Sequence, residues 1–295
     1  MSKEKIVVLY GGESPEREVS LSSGKAVLDS LVRQGYDAVG LDASSKELVV
    51  KLLEINPTKC FVALHGEDGE NGRVSALLEM LGIKHTGSSM KSCVITMDKM
   101  ISKEIWMHHR MPTPMAKILT SRLVSSDEIS FPVAVKPISG GSSIATFKVK
   151  NIDELKPAYE EASKYGEVMV EQWVTGKEIT VAIVNDQVFS SIWIEPLNEF
   201  YDYESKYSGK STYHCPSGLC HEKELEVRQL AKRAYDLLDC KGHARVDFIY
   251  DQGEFYVMEI NSSPGMTANS LSPKSAAVEG IDFDSFVKLI IEQAR

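Results

Sequence analysis

At 295 residues the chain is too long to fold around one small core, so two or three compact lobes are expected. An apolar share of 43% and a charged share of 25% are ordinary for a globular protein, and no apolar run is long enough to span a bilayer. The net charge of −9 speaks against a dedicated nucleic-acid binder, and five scattered cysteines do not make a disulfide framework.

The chain opens on a buried-type strand, Ile6 to Tyr10, followed by Gly11-Gly12. That apolar stretch is too short for the core of a signal peptide, so a cytoplasmic location is expected. Helical spacing follows from Ser22 to Gln34, then a strand at Ala38 to Leu41, a helix at Lys46 to Ile55, a strand at Cys60 to Leu64 and a helix at Val74 to Leu81. This βαβα alternation predicts a parallel sheet covered on both faces, with ligands gathering where strands give way to helices. A helix from Asp98 to Met111 ends at the Pro112 and Pro114 pair. Strands are expected at Val133 to Lys136, Ile144 to Val149 and Val168 to Glu171, with a helix at Ile152 to Lys164. Beyond Lys177 the chain is mostly strand to Glu195 and then polar and tyrosine-rich from Phe200 to Tyr213. A helix from Glu222 to Leu238, a hairpin from His243 to Asn261 and a helix from Asp284 to Gln293 complete it. Three lobes are expected: residues 1–90, 91–176 and 177–295.

The hairpin carries the strongest chemical pattern. Strand side chains alternate faces, so Arg245 and Asp247 share one side, as do Glu259 and Asn261. A three-residue loop, Asp251-Gln252-Gly253, is expected to pair Tyr250 with Glu254, with Val246, Phe248 and Met258 on the opposite, apolar face. Three converging oxygen donors, Asp247, Glu259 and Asn261, suit Mg²⁺, although such a face in isolation is more often plain solvated surface. A second pattern is a strand ending in Lys136 and followed by Gly140-Gly141-Ser142-Ser143, small residues whose amides can close on phosphate. It is not a P-loop, because no helix-opening GKS or GKT follows. Third, Glu171, Trp173 and Val174 end a strand, with Glu178 just beyond, an arrangement able to meet an adenine edge and ribose hydroxyls. The cluster His214, Cys215, Cys220 and His221 holds four possible zinc ligands, but their adjacent spacing favours an ordinary polar loop.

These patterns occur in the order used by ATP-grasp enzymes, and over essentially the whole length the chain resembles the D-alanine–D-alanine ligase family. The resemblance rests on Ser14-Pro-Glu-Arg-Glu-Val-Ser20, His65-Gly-x-x-Gly-Glu-Asn-Gly72, Tyr201-Asp-Tyr-Glu-Ser-Lys-Tyr207 and Asn261-Ser-Ser-Pro-Gly-Met-Thr267. It implies a three-lobed α/β architecture: an N-terminal Rossmann-like domain and two α+β lobes holding ATP and two Mg²⁺ or Mn²⁺ ions. It also implies that two D-alanines are joined through an acyl phosphate for cell-wall precursor synthesis, by a homodimer.

By the same resemblance, Lys99, Lys136 and Ser143 contact ATP phosphates, with Lys206 reaching the γ-phosphate from a lid. Glu171, Trp173, Val174, Glu178 and Phe200 surround the adenosine. Asp247, Glu259 and Asn261 hold the metals. Glu16 holds the first D-alanine's ammonium beside His65, and Ser142 and Tyr207 meet Glu16 as loops close. Arg245 and the Gly265 amide form the oxyanion hole, while Ser270 and Leu271 take the second D-alanine's carboxylate. One departure is Ala145, where the family often has glycine; another is Ser139-Gly140-Gly141 in place of Arg-Glu-Gly. Rival readings are an ATP-grasp ligase with other partners, a Mg-ATP sensor without turnover and a zinc-binding interaction module.

Overall fold

The computed structural model describes residues 4–121, 129–141, 144–196 and 211–295. Three sheets organise the described residues. The first is parallel, in the order β2-β1-β3-β4: β1 is Lys5–Tyr10, β2 Asp37–Asp42, β3 Lys59–Val62 and β4 Lys84–His85. Its helices are α1 (Arg17–Arg33), α2 (Leu48–Ile55), the one-turn α3 (Glu67–Glu70) and α4 (Arg73–Met80). Burial on both faces explains the unbroken Ile6 to Leu9 run, all fully enclosed. Val7 and Leu9 pack with Leu52 and Leu78 on one side, while Ile6 and Val8 pack with Val27 and Leu31 on the other.

Helix α1 begins five residues before the apolar spacing suggests. Ser20 and Ser23 interrupt the pattern, yet both are fully buried, because their hydroxyls find partners inside. Ser20 Oγ donates to the Ala63 carbonyl at 2.7 Å and accepts from Gly11 N at 2.8 Å. Helices α5 (Met90–Met97, capped by Ser89) and α6 (Lys99–His108, capped by Asp98) follow. Arg110 takes a left-handed φ of 56° and ends the helical course before Met111.

The second sheet is antiparallel, in the order β5-β8-β6-β7: β5 is Ala116–Leu119, β6 Val133–Pro137, β7 Phe147–Val149 and β8 Val168–Gln172. Helix α7 (Ile152–Ala162) covers it through Leu155, Ala158 and Ala162. Strand β7 is shorter than expected because Ala145 sits at φ 53°, outside the extended region. The third sheet runs β12-β11-β9-β13-β14, with β10 also on β9. Here β9 is Lys177–Val184, β10 Gln187–Val188, β11 Ile192–Glu195, β12 Thr212–His214, β13 His243–Asp251 and β14 Glu254–Asn261. Helix α8 (His221–Leu237) packs Val227, Ala231 and Ala234 against it. After α9 (Leu271–Val278), the last helix α10 (Phe283–Glu292) returns to the first sheet, placing Phe286, Val287, Ile290 and Ile291 in one core with Ile6, Val8 and Phe61. Among the described residues no helix is long and apolar enough to cross a membrane.

The β13–β14 hairpin differs from expectation in its turn. Asp251 pairs with Glu254, so the loop is the two-residue Gln252-Gly253, both at positive φ, 47° and 96°. That register alone would set odd residues opposite even ones. A register shift between Asp247 and Phe248 inserts one residue on β14 and restores the pairs Asp247–Glu259 and Arg245–Asn261. The apolar face is Val246, Phe248, Val257 and Ile260; Met258, expected there, lines the cleft instead.

Candidate active site

The cleft has two chambers. One, of about 360 Å³, lies between the second and third sheets and is lined by Lys136, Glu171, Trp173, Val174, Glu178, Asp247 and Met258. The other, of about 290 Å³, reaches the first sheet and is lined by His65, Glu70, Asn261, Gly265, Ser270 and Leu271. Glu16, Lys99, Gly140, Gly141, Arg245 and Glu259 line both. The chambers therefore meet at a wall of two cations and two carboxylates.

Each wall group is delivered by a distinct element. Glu16 precedes α1 without using its carboxylate to cap it, so the side chain serves the cavity. Gly66 lies beside it at φ 66°, a left-handed backbone that a residue with a Cβ would adopt only under strain. Lys99 opens α6, donates to the Gly140 carbonyl at 2.6 Å and lies 3.5 Å from Glu259 Oε2. Arg245 forks onto Asp247 with two bonds of 2.9 Å, and Thr180 Oγ1 donates to the same carboxylate at 2.5 Å. Asn261 Oδ1 accepts from Ser263 N at 3.0 Å, which shapes the loop towards Gly265. At Gly265 a Cβ would meet Ser270 Oγ at 2.9 Å, and that hydroxyl accepts from Thr267 N at 3.0 Å. The loop is also tied to the first lobe: Ser263 Oγ donates to the Leu64 carbonyl at 2.5 Å, and Met266 N donates to Ser23 Oγ at 3.1 Å.

In the larger chamber, Lys148 stands 4.7 Å from the centroid of the Trp173 ring. Glu171 lines this chamber as well, and its carboxylate is held by two lysines. Lys136 donates to its Oε2 at 2.7 Å and Lys103 pairs with its Oε1. Ser142, Ser143, Phe200, Lys206 and Tyr207 lie outside the described residues. His214 bonds Glu195 at 2.8 Å and stacks on Trp193, while Cys215 donates to the Lys274 carbonyl.

A family model described as the D-ala D-ala ligase C-terminus matches residues 107–292. Curated D-alanine–D-alanine ligases from Francisella philomiragia and Francisella tularensis subsp. novicida are each 84% identical to this chain, over 100% of both partners. The chain belongs to the D-alanine–D-alanine ligase family. Among solved structures, a D-alanine–D-alanine ligase from Bacillus anthracis complexed with ATP matches with a TM-score of 0.85 and 33% identity, covering 98% of this chain and 97% of that one. The VanG D-Ala:D-Ser ligase from Enterococcus faecalis matches with a TM-score of 0.86 and 26% identity, covering 99% of each.

For a ligase-family site, the electrostatics separate groups by burial. Burial pushes the Glu70 carboxyl up to about 8, and the neighbouring charges of Glu16 and Glu259 push the same way. Burial lowers His65, whose ring bonds the Ser263 carbonyl through Nδ1 at 2.7 Å and Ser23 Oγ through Nε2 at 2.9 Å. Burial also lowers Lys103 to about 8, against the pull of Glu171. Burial raises the carboxylate of Glu171 less than Lys136 and Lys103 lower it, so it stays ionised. Two residues given no role in the sequence reading thus matter here: Glu70 lines the smaller chamber, and Lys103 holds Glu171 without lining either. Glu70 could have been found inside the His65–Gly72 motif; Lys103 reads as an ordinary polar position of an amphipathic helix.

Proposed function

We propose that this family member joins two D-alanines, using ATP to activate the first as an acyl phosphate. The observation that carries the reading is the shared wall: Glu16, Lys99, Arg245 and Glu259 line both chambers, where a nucleotide's terminal phosphate can meet an amino-acid carboxylate. A carboxylate is inert towards amines because its oxygen leaves poorly. In this reading an oxygen of the first D-alanine's carboxylate attacks the γ-phosphorus, and the bond to the ADP oxygen breaks. The second D-alanine's free amine attacks the acyl carbon, and phosphate leaves as the peptide bond forms.

Glu16 holds the first ammonium beside His65. Lys99 and Lys136 face the phosphates, and Trp173, Val174 and Glu178 border the adenosine. Arg245 and the Gly265 N–H face the oxyanion, and Ser270 with Leu271 receives the second carboxylate at the start of α9. Asp247, Glu259 and Asn261 fit Mg²⁺ or Mn²⁺, being two carboxylates and an amide oxygen, hard donors paired across β13 and β14. The ions would neutralise phosphate charge when bound. With this reading go a homodimer, measurable by light scattering, and residence in the cytoplasm, where ATP and Mg²⁺ are supplied.

Phosphate release from ATP, screened across D- and L-amino acids, tests the proposal. Release that needs D-alanine, with D-alanyl-D-alanine as product, is expected. Release only with D-serine as acceptor would move the chain towards the VanG type. Nucleotide binding without any release would make it a sensor.

A further inference from the structure

Lys103 makes more of the architecture than its place on α6 suggests. It is fully buried and lines neither chamber, so it cannot touch a ligand there. Its ammonium pairs with Glu171 Oε1 on β8, donates to Thr113 Oγ1 at 2.7 Å and reaches the Pro114 carbonyl at 3.3 Å. Thr113 Oγ1 in turn donates to the Val257 carbonyl on β14 at 2.7 Å, and Val257 N donates to the Pro112 carbonyl at 2.9 Å. One buried cation thereby joins α6, the 112–114 segment and both sheets that enclose the larger chamber.

The charges around it matter as much as the bonds. Glu171 accepts from Lys136 at 2.7 Å and pairs with Lys103 through its other oxygen. Two cations thus share one carboxylate, a net charge of +1. Lys136 is the member that lines the chamber. Were Lys103 neutral, Glu171 would cancel the charge of Lys136, and the attraction of the chamber wall for a polyanion would rest on Lys99, Lys148 and Arg245.

We propose that Lys103 is a positioning residue for nucleotide binding: it occupies half of the Glu171 carboxylate so that Lys136 presents an uncancelled positive charge to the phosphates. This rests on the reading of Lys136 as a phosphate contact. Substitution then follows a charge count. Lys103→Met leaves the cluster at zero, while Lys103→Met with Glu171→Gln returns it to +1.

The test is calorimetric titration of the full chain with Mg-ATP in the absence of D-alanine. Lys103→Met is expected to weaken binding by at least roughly tenfold, and the double variant to return it to within about threefold of the parent. In turnover, the KM for ATP rises in Lys103→Met while the KM for D-alanine stays near its parent value. Parental affinity in Lys103→Met overturns the proposal. So does equal weakening in the single and double variants, which would make Lys103 a packing residue. If Lys103→Met does not fold, the double variant decides alone, parental affinity supporting the charge count and lost affinity refuting it. Lys136→Met is the control: unchanged Mg-ATP binding there defeats the phosphate contact and the role of Lys103 together. Absent D-alanine-dependent phosphate release, with the charge series intact, defeats only the ligase reading.

Discussion

Replacing Arg245 with methionine keeps an unbranched side chain as far as the position of Nε and removes every donor. Two consequences can be separated. The first is structural: Asp247 loses two bonds of 2.9 Å and keeps only the Thr180 hydroxyl among these partners. Arg245 and Asp247 are 16% and 23% exposed, so water repays part of the loss, and about 1–3 kcal/mol is expected. For a chain of this size that is a fall of roughly 2–5 °C in Tm. The second is chemical. If Arg245 faces the developing oxyanion, losing that donor costs about 2.7–4 kcal/mol in the transition state, a drop in kcat of roughly 10²–10³. Thermal unfolding measures the first and D-alanine-dependent phosphate release the second. A folded Arg245→Met enzyme with kcat within tenfold of the parent would refute the assignment, whatever its Tm.

Three other outcomes follow from named groups. Glu259→Gln should raise the Mg²⁺ concentration for half-maximal activity by roughly tenfold or more, with little change in Tm; an unchanged Mg²⁺ titration would remove it from the metal set. Glu70→Gln tests the carboxyl held at about 8 against an ordinary 4.5. The folded state keeps this proton where the unfolded chain has released it. Its contribution is therefore whole below about pH 4.5 and disappears as pH rises through about 8. In EDTA without nucleotide, Glu70→Gln should be the more stable protein at pH 8, by about 1–3 kcal/mol, and parallel stability profiles would contradict the burial argument. Ala145→Gly removes a side chain from a left-handed φ of 53° and should raise stability by up to about 1 kcal/mol; a fall in Tm would show that the Cβ makes a worthwhile contact.

Patterns of apolar spacing made the parallel first sheet legible, because buried strands leave continuous runs such as Ile6 to Leu9. They located α1 late for a physical reason: Ser20 and Ser23 look like surface and are interior polar joints. That Arg245, Asp247, Glu259 and Asn261 share one face of the hairpin was readable from strand alternation, although the turn expected there was one residue too long. The bulge that restores the register leaves no mark in composition, and it also moves Met258 into the cleft. Lys103 was illegible altogether, since a lysine on a helix announces exposure unless the partner opposite is known. The return of α10 to the first sheet belongs to the same class, a long-range contact that local periodicity does not encode. Ala145 shows the converse: at the position where the resemblance leads to an expectation of glycine, the backbone is left-handed.

Isotope transfer probes the chemistry at the shared wall most directly. D-alanine carrying ¹⁸O in its carboxylate, incubated with the enzyme, ATP and Mg²⁺, should deliver one ¹⁸O to inorganic phosphate for each dipeptide formed, visible as a ³¹P NMR isotope shift. Phosphate free of label, or release of AMP and pyrophosphate, would mean that the amino-acid carboxylate never attacks the terminal phosphate.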